Sequence, residues 1–480
     1  MHPRLELPLV HPVDLDRPLA PLRALAGLPH TFVLQSALPD AAAGGGGQRA
    51  RWTFFGADPF AVFRGGEAGD AIALWRRLAE GTPRGAPAGA TGAPFVGGAV
   101  GYWAYDYGRR LERLPAIAAD DLKLPDFVLG FYDVVGAYAH ASRQTWLFSS
   151  GLPFEGADAV ARARERLAQF RARLADPARA PAPLPAAGSP VATSTFTPEA
   201  YRAAVERIRA HIRAGDIYQA NLSQRWRVPL AGAHARAVAL YEALIQHAPA
   251  PHAAFLDAAD HVVLSASPER FLELRGERVE TRPIKGTRPR GATPAEDERL
   301  AAELLASAKD RAENVMIVDV LRNDLGRVCV PGSVETPAVC ELERFPQVLH
   351  LTSTVTGALR EDLDAFDLLH ACFPGGSVTG APKLRAMEIL EAIEPVRRHV
   401  YTGAIGWLDW GGDADWSVAI RTALATADAL YFAAGGGITA DSDPDAEHRE
   451  TLAKAEGLRL AFASALGEFA LAPDAAGAGC

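Results

Sequence analysis

The sequence predicts an α+β fold in which large mixed or antiparallel β-sheets are flanked by helices. Strand-like runs occur in both halves of the chain, amphipathic helical patterns lie between them, and no regular β-α-β alternation is present. Of the 480 residues, 49% are hydrophobic and 22% are charged, as in ordinary globular proteins. The length indicates roughly two to four domains.

A proline- and alanine-rich segment over residues 176–194 divides the chain. It lacks apolar periodicity, which is typical of a linker. We therefore predict an N-terminal domain over residues 1–175 and a larger C-terminal domain that begins near residue 195. Both have an ordinary domain size.

The N-terminal part combines short strands with one long helix. Strand-like runs cover Thr31–Leu34 and RWTFFGADPFAVF from Arg51, and the glycine-rich residues 41–47 between them predict a flexible loop. Residues 94–108, PFVGGAVGYWAYDYG, mix glycine with aromatic residues, which is typical of close backbone approach or a bulge. The spacing of apolar residues predicts an amphipathic helix over Ala157–Leu174.

The C-terminal part begins with a well-marked helix. Thr197 and Pro198 suit its N-cap and its first helical position. Phe196 and Tyr201 are spaced for a hydrophobic staple, and Gly215 suits the helix end. The remaining predicted elements are strand-like stretches from Ile217 and from His261, and helices over Ala295–Leu321 and Asp445–Leu466.

Composition argues against several classes of protein. No run of about 18 apolar residues is present and the N-terminus lacks a secretory pattern, so we expect a cytoplasmic protein without a membrane segment. The cysteines have no metal-ligand spacing, so we expect free thiols at Cys329, Cys340, Cys372 and Cys480. A formal net charge of −9 argues against a nucleic-acid partner but leaves a small anionic ligand open.

Lys285 lies in an unusual frame, the sequence TRPIKGTRPRG over residues 281–291. Pro283 precedes it and Gly286 follows it, which predicts a stiff, turning backbone rather than a helix face. A solvated lysine does not need such a frame. This pattern raises the hypothesis that the amine is directed at a ligand.

Two helical segments carry carboxylates that suit a metal ion. Glu313 lies on one of them, four residues after Lys309, and Glu447, Glu450 and Lys454 share a face of the other. For each segment alone, ion pairs on a solvated helix face explain the pattern. Taken together, one carboxylate from each helix suits Mg²⁺, which prefers oxygen ligands and keeps its waters.

Other residues suit an anionic ligand. Gly435, Gly436 and Gly437 follow the strand-like ALYFAA, and consecutive glycines at a strand end expose backbone N–H groups, although a tight turn needs the same residues. Arg421 lies in an otherwise apolar strand-like run, where a guanidinium needs a buried partner such as a ligand carboxylate. The glycine-rich turn and helix of residues 373–395 suit either an anion site or a structural loop.

Several ordered segments together resemble the chorismate-utilising enzymes. They are SASPERFL, PIKGTRPRG, DRAENVMIVDVLRNDLGRV, FPGGSVTGAPKLRAMEI, YTGAIGWL, AIRTA, AGGGITADSDP and EHRETLAK. The N-terminal FVLQSA, WTFFGADPF and PFVGGAVGYWAYDYG are similar to segments of the amidotransferase-coupled members. The resemblance implies the family's α+β fold, an N-terminal domain like that of anthranilate synthase component I, a chorismate-binding catalytic domain over residues 195–470, and a tail over residues 471–480.

The lysine at position 285 narrows the resemblance. Anthranilate and isochorismate synthases usually read P-I/L-A-G here, whereas the branch that makes aminodeoxychorismate, for p-aminobenzoate and folate synthesis, reads P-I-K-G-T, as this chain does. The resemblance implies that Lys285 adds to C2 of chorismate and that the C4 hydroxyl leaves with a proton from Glu269. Ammonia then enters at C4 and expels the lysine.

The resemblance also implies roles for a wider set of residues. Glu313 and Glu450 match Mg²⁺ ligands, with Glu447 in support. The positions that match substrate-binding or active-site residues are Arg421, Tyr401, Gly435, Gly436, Gly437, Lys454, His350 and Ser377. Gln219 occupies the place of the water-activating lysine of isochorismate and salicylate synthases, and glutamine cannot act as that base.

Two alternatives stand beside this interpretation. One is an anthranilate synthase component I, which starts with ammonia addition at C2, and Lys285 argues against it. The other is a non-catalytic relative that binds only chorismate or a glutaminase subunit, and the intact set of Lys285, Glu269, Glu313, Glu450 and Arg421 argues against it. Since no cysteine lies in a nucleophile-elbow setting, we expect a separate glutamine amidotransferase subunit to supply the ammonia.

Overall fold

The computed structural model describes residues 7–15, 17–36, 52–80, 91–175 and 190–471. The predicted loop over residues 41–47 lies outside the described residues. So do residues 176–189 of the predicted linker and residues 472–480 of the predicted tail.

Strands and helices alternate irregularly along the described residues. The strands are β1 (Leu9–Val13), β2 (Phe32–Gln35), β3 (Trp52–Gly56), β4 (Ala61–Arg64), β5 (Gly98–Trp103), β6 (Phe127–Tyr132), β7 (Val134–Ala139), β8 (Gln144–Ser149), β9 (Val191–Ser194), β10 (Gln219–Pro229), β11 (His252–Asp257), β12 (Val262–Ser267), β13 (Arg270–Arg275), β14 (Arg278–Thr281), β15 (Ile284–Pro289), β16 (Glu335–Arg344), β17 (Val348–Ala358), β18 (Gly380–Ala381), β19 (Ala404–Asp409), β20 (Ala414–Val418), β21 (Thr422–Ala425), β22 (Ala429–Ile438) and β23 (Ala470–Leu471). The helices are α1 (Ala20–Leu25), α2 (Ala68–Ala79), α3 (Gly108–Leu111), α4 (Gly156–Ala175), α5 (Pro198–Arg213), α6 (Ala237–His247), α7 (Pro294–Ala306), α8 (Ala308–Gly326), α9 (Ala365–Cys372), α10 (Lys383–Glu391) and α11 (Pro444–Leu466).

Two large sheets organise these elements. The first has the order β1-β8-β7-β3-β2-β11-β12-β21-β22-β10-β9-β23, with β18 also paired to β10. The second has the order β15-β17-β14-β13-β20-β19-β5-β6-β4, with β16 also paired to β17. Helices α5, α6 and α11 pack on the first sheet, and α7 and α8 pack on the second. This architecture confirms the predicted α+β fold of large sheets flanked by helices.

The N-terminal and C-terminal parts of the chain share both sheets. In the first sheet β2 pairs with β11, and in the second β5 pairs with β19, in each case antiparallel. Side chains from both parts also form one buried cluster between the sheets, which includes Phe54, Phe95 and Trp407. The boundary predicted at the linker therefore divides the sequence, while continuous backbone hydrogen bonding joins the two parts in space.

Two of the points at which the chain crosses between the sheets lie next to each other. One crossing leads from β12 to β13 and carries Glu269, and the other leads from β20 to β21 and carries Arg421. The crossings are hydrogen-bonded to each other, since the Val418 N–H donates to the Glu269 carbonyl over 3.0 Å and the Ala266 N–H donates to the Arg421 carbonyl over 3.1 Å. Arg421 has a φ of 52°, so the prediction that it lies within a strand-like run is wrong. Both flanking segments are apolar, and periodicity alone could not reveal the break.

The helix predictions hold with one exception. α4, α5 and α11 form where predicted, and the Thr197 hydroxyl caps α5 by accepting the Ala200 N–H over 3.2 Å. The single helix predicted over Ala295–Leu321 is wrong, because α7 ends and α8 begins at Ser307. The Ser307 side chain accepts the Asp310 N–H over 3.2 Å, as an N-cap serine does, and this new start sets the orientation of α8. Among the described helices, none has the length and apolar character needed to cross a bilayer.

Candidate active site

Lys285 lies on β15, where a bulge interrupts the pairing with β17. Gly286 follows with a φ of 90°, and a Cβ there would lie 3.0 Å from the Asp310 Cβ, so the bulge requires glycine. The Lys285 Nζ donates to the Ser377 carbonyl over 3.0 Å and to the Asn221 Oδ1 over 3.4 Å. The amine is therefore turned into the protein, towards β10 and the turn before α10.

The surroundings of Lys285 favour its neutral form. Burial lowers the pKa of the amine below its usual value, the carboxylates of Glu313 and Glu269 oppose this shift, and Lys454 adds to it. Because only the neutral amine has a free electron pair, a lowered pKa increases the nucleophilic fraction at neutral pH.

Glu269 lies beside this amine and is only 4% exposed. Burial raises the pKa of its carboxyl group to about 7, against hydrogen bonds from the Ser377 side chain and the Ile284 backbone and against the charge of Lys285. A carboxyl group that titrates near neutrality exchanges a proton readily with a reacting group. The sheet crossing thus presents a proton donor next to an amine.

Three carboxylates from two helices face the same space: Glu313 on α8, and Glu447 and Glu450 on α11. Burial raises the pKa of Glu313, with Lys285 opposing the rise and Glu447 adding to it. Burial also raises the pKa of Glu447, which is 4% exposed, and the charge of Glu450 adds to that rise. The charges of these carboxylates thus raise one another's pKa, and the burial of Glu447 excludes a solvated helix face for this residue.

Two lysines pair with the carboxylates. The Lys454 Nζ lies 2.7 Å from the Glu450 Oε1 and donates to the Gly435 carbonyl over 2.8 Å. The Lys309 Nζ lies 3.7 Å from the Glu447 Oε1, so it links α8 to α11. Burial acts to raise the pKa of Glu450, but Lys454 and Lys309 outweigh it and the pKa is lowered. Each helix therefore supplies a cation as well as acidic groups.

The donor set fits Mg²⁺ without forming a complete metal cage. In the described part of the chain, no three His, Cys, Asp or Glu side chains are grouped closely enough to hold a metal ion. Glu447 and Glu450 nevertheless converge on Gly436, where a Cβ would lie 3.1 Å from the Glu447 Oε2 and 3.6 Å from the Glu450 Oε1. Since Mg²⁺ commonly takes one or two carboxylates together with water and substrate oxygens, these residues and Glu313 fit the ion.

The three predicted glycines form the C-terminal end of strand β22. β22 continues to Ile438, and its glycines pair with β10 as Gly435 with Ser223, Gly436 with Leu222 and Gly437 with Asn221. The pairing of β22 with β21 ends at Phe432. Among the described strands, none pairs with that edge from Ala433 onwards. An unpaired edge leaves backbone groups without a strand partner, and a role of these groups in ligand binding stays a prediction.

Arg421 is a cation placed for a ligand carboxylate. Its Nη1 donates to the Lys454 carbonyl over 2.9 Å, and no acidic side chain among the described residues pairs with it. Burial lowers the pKa of the guanidinium, with Tyr401 opposing. Gly457 on α11 lies beside the group, since a Cβ there would make an ordinary contact of 3.5 Å with the Arg421 Nη1. A buried guanidinium without an acidic partner among the described residues suits an anionic ligand.

His350 and Tyr401 lie beside this guanidinium. The His350 Nδ1 is 2.9 Å from the Thr287 Oγ1, and burial together with the charge of Arg421 lowers the pKa of the ring to about 4. Burial raises the pKa of Tyr401 to about 12, with Arg398 opposing. At neutral pH the imidazole is therefore uncharged and the phenol keeps its proton, so both act as hydrogen-bonding groups.

Two amide side chains of β10 line the same space. Gln219 is fully buried, and neither its Oε1 nor its Nε2 has a hydrogen-bond partner among the described residues. The Asn221 Nδ2 also lacks one. Gln219 packs against Gly437, where a Cβ would lie 1.9 Å from the Gln219 Nε2. Because unpaired buried amides are costly, polar atoms of a ligand are expected to pair with them.

The structure brings the predicted site residues together, and it adds Asn221 and Lys309, which were not predicted. Residues two apart in a strand share a face, so the choice of Gln219 contained a signal for Asn221. Lys309 was interpreted as a helix partner of Glu313. Its pairing with Glu447 depends on how α8 and α11 pack together, which no local sequence pattern predicts.

A separate cavity of about 780 Å³ lies between the two sheets. Its lining includes Gln35, Ser36, Trp407 and Arg270, none of which is a predicted site residue. Arg270 follows Glu269 in the chain. The cavity and the candidate active site therefore adjoin the same sheet crossing.

Comparisons with known proteins point to one family. Residues 45–459 match the family described as chorismate binding enzyme. Aminodeoxychorismate synthase component 1 of Salmonella typhimurium is 45% identical over 361 residues, which cover 75% of this chain and 76% of that protein. Anthranilate synthase component 1 of Mycolicibacterium smegmatis is 38% identical over 484 residues, which cover 94% and 89%. The crystal structure of anthranilate synthase component I from Streptococcus pneumoniae is similar with a TM-score of 0.75 at 31% identity, over 85% of this chain and 92% of that one.

Proposed function

The chain belongs to the chorismate-binding enzymes, and from this premise we propose that it is component I of an aminodeoxychorismate synthase. In this role it converts chorismate and ammonia into 4-amino-4-deoxychorismate and water. The aminated product is used to make p-aminobenzoate and folate. One observation carries the proposal. The Lys285 amine is turned inward beside Glu269, a buried carboxyl group whose pKa is raised to about 7.

In the first half of the reaction, the neutral amine of Lys285 forms a bond to C2 of the ring. Both conjugated ring double bonds shift by one position, and the C4–O bond breaks. Glu269 gives its proton to the departing hydroxyl, which leaves as water. The adduct nitrogen keeps its positive charge, and Glu269 is left as a carboxylate.

In the second half, ammonia forms a bond to C4, both ring double bonds shift back, and the C2–N bond breaks. The Lys285 amine leaves in its neutral form, and the new ammonium group at C4 returns a proton to Glu269. Two allylic displacements of this kind divide one difficult substitution into two easier steps and retain the configuration at C4.

The remaining site residues hold the substrate. Arg421, Tyr401 and the unpaired edge of β22 suit the two carboxylates of chorismate. Bound Mg²⁺, held by Glu313 and Glu450 with Glu447 in support, would anchor the ring carboxylate and draw electron density from the conjugated ring. The neutral His350 and the amide of Gln219 offer hydrogen bonds without acting as a base for water.

The ammonia comes from a separate glutamine amidotransferase subunit in this proposal. The described cysteines Cys329, Cys340 and Cys372 are buried, and burial raises the pKa of each thiol. A buried thiol with a raised pKa is a poor nucleophile for glutamine hydrolysis. The component 1 in the names of the relatives also supports a partner subunit.

Anthranilate synthase component I is the second candidate, favoured by the 94% of this chain that the Mycolicibacterium smegmatis protein matches. That reaction adds ammonia at C2 and releases pyruvate. Lys285 argues against this candidate, because its amine occupies the position from which ammonia would attack C2.

The test is to identify the product that the purified chain makes from chorismate, Mg²⁺ and an ammonium salt. Aminodeoxychorismate is the expected product, identified by mass and retention time, and removal of Mg²⁺ with EDTA should stop its formation. Anthranilate as the sole product would support the second candidate, and no turnover would contradict both.

A further inference from the structure

A buried ion pair lies directly behind the Lys285 amine. The side chains of Arg398 and Glu394 are 3% and 7% exposed, and they meet through two parallel hydrogen bonds, from the Arg398 Nε over 2.8 Å and from its Nη2 over 2.7 Å. The guanidinium also stacks over the Tyr105 ring at 4.6 Å. A fork of this kind fixes the plane of the guanidinium.

The other donors of Arg398 hold the two segments that receive the Lys285 amine. Its Nη1 donates to the Val378 carbonyl over 2.9 Å, and its Nη2 donates to the Asn221 carbonyl. The amine contacts the Asn221 side chain and the carbonyl of Ser377, the residue before Val378. One guanidinium therefore spans both walls of the lysine site.

Glu394 fixes the same strand at a further point. Its Oε1 accepts both the N–H and the hydroxyl of Ser223, each over 2.9 Å. Ser223 pairs with Gly435 of β22. The ion pair thus sets the position of β10 relative to the turn that contains Ser377.

We propose that Arg398 and Glu394 are positioning residues that aim the Lys285 amine at C2 of the substrate and so keep ammonia from entering there. This inference rests on the proposed function. A purely structural ion pair would also stabilise the fold, but nothing requires it to bond to the segments on either side of the amine. A displacement of about 1 Å in a reacting group lowers a rate on the order of 100-fold.

The test compares two variants of the pair and one of its partner Ser223 with a matched control in the full chain. Arg398→Lys keeps the charge but loses the fork, Glu394→Gln keeps the shape but loses the charge, and Ser223→Ala removes one hydrogen bond. The control is Arg166→Lys, because Arg166 has 6% side-chain exposure and forms an equally buried pair with Asp133. Each variant is assayed with chorismate, Mg²⁺ and ammonium for kcat, KM, the ratio of C2- to C4-aminated product, and thermal midpoint.

The expected result is that Arg398→Lys lowers kcat for C4 amination on the order of 100-fold with little change in KM, and raises the share of C2-aminated product. Glu394→Gln should change kcat and the share of C2-aminated product less than Arg398→Lys does, and Ser223→Ala should change them least. Arg166→Lys lowers the thermal midpoint but leaves the product ratio unchanged.

A wild-type product ratio and kcat in folded Arg398→Lys would overturn the inference, as would an equal change in the Arg166→Lys control. If Arg398→Lys does not fold, the product ratio of Glu394→Gln decides in the same way. The unsubstituted chain in the same assay separates the two proposals: if it makes only anthranilate, the proposed function fails first. If it makes aminodeoxychorismate and the variants keep its product ratio and kcat, only the positioning role fails.

Discussion

Replacement of Glu269 by glutamine should stabilise the fold at neutral pH while it stops the reaction. Burial raises the pKa of this carboxyl group from 4.5 to about 7, which corresponds to about 3 kcal/mol at about 1.4 kcal/mol for each pH unit. Between these values the folded chain keeps a proton that the unfolded chain has released. The folded state therefore loses stability as the pH rises through this window, and the full cost is present above about pH 7.

Glutamine has no proton to lose, and its oxygen can still accept the hydrogen bonds from Ser377 and Ile284. The free energy of unfolding of Glu269→Gln, minus that of the unsubstituted chain, should rise by about 3 kcal/mol between about pH 4 and about pH 8. Urea unfolding followed by tryptophan fluorescence measures this difference. C4 amination should fall by about 10²- to 10⁴-fold in the same variant. A stability difference that stays constant across this pH range would refute the raised pKa, and unchanged activity would refute the role as proton donor.

Three further predictions test other parts of the site and fold. Arg421→Lys should raise KM for chorismate about 10- to 100-fold, because lysine keeps the charge but loses the guanidinium hydrogen bonds, and a hydrogen bond to a charged group is worth about 1.5–3 kcal/mol; steady-state kinetics measure this, and an unchanged KM would contradict the contact with the substrate carboxylate. Gly436→Ala should raise the Mg²⁺ concentration needed for half-maximal activity, since its Cβ would press on Glu447 at 3.1 Å; an unchanged titration would contradict the metal assignment. Ser307→Ala should lower the free energy of unfolding by about 1 kcal/mol, measured by urea unfolding, because the α8 cap is lost. The kcat per folded molecule, measured by turnover, should stay unchanged.

The sequence predicted features that depend on local chemistry. The Thr197 cap, the fold class and the helix around Glu450 follow from residues close together in the chain, and the structure has them in place. Lys285 stood out because proline and glycine frame it, and the structure turns its amine inward.

Features that depend on how distant elements meet were not predicted. The break at Arg421 arises where the chain changes sheets, and both sides of the break are apolar. The glycines at the end of β22 were predicted, but their pairing with β10 on one edge cannot be read from β22 alone. Lys309 pairs with Glu447 only because α8 and α11 come together, and the break at Ser307 between α7 and α8 was also not predicted.

The most direct measurement is the product that Lys285→Ala makes from chorismate, ammonium and Mg²⁺. If the amine forms the bond to C2, this variant should fold normally but lose C4 amination by several orders of magnitude, and ammonia should then add at C2. Aminodeoxychorismate formed by Lys285→Ala at the rate of the unsubstituted chain would contradict the covalent role of Lys285.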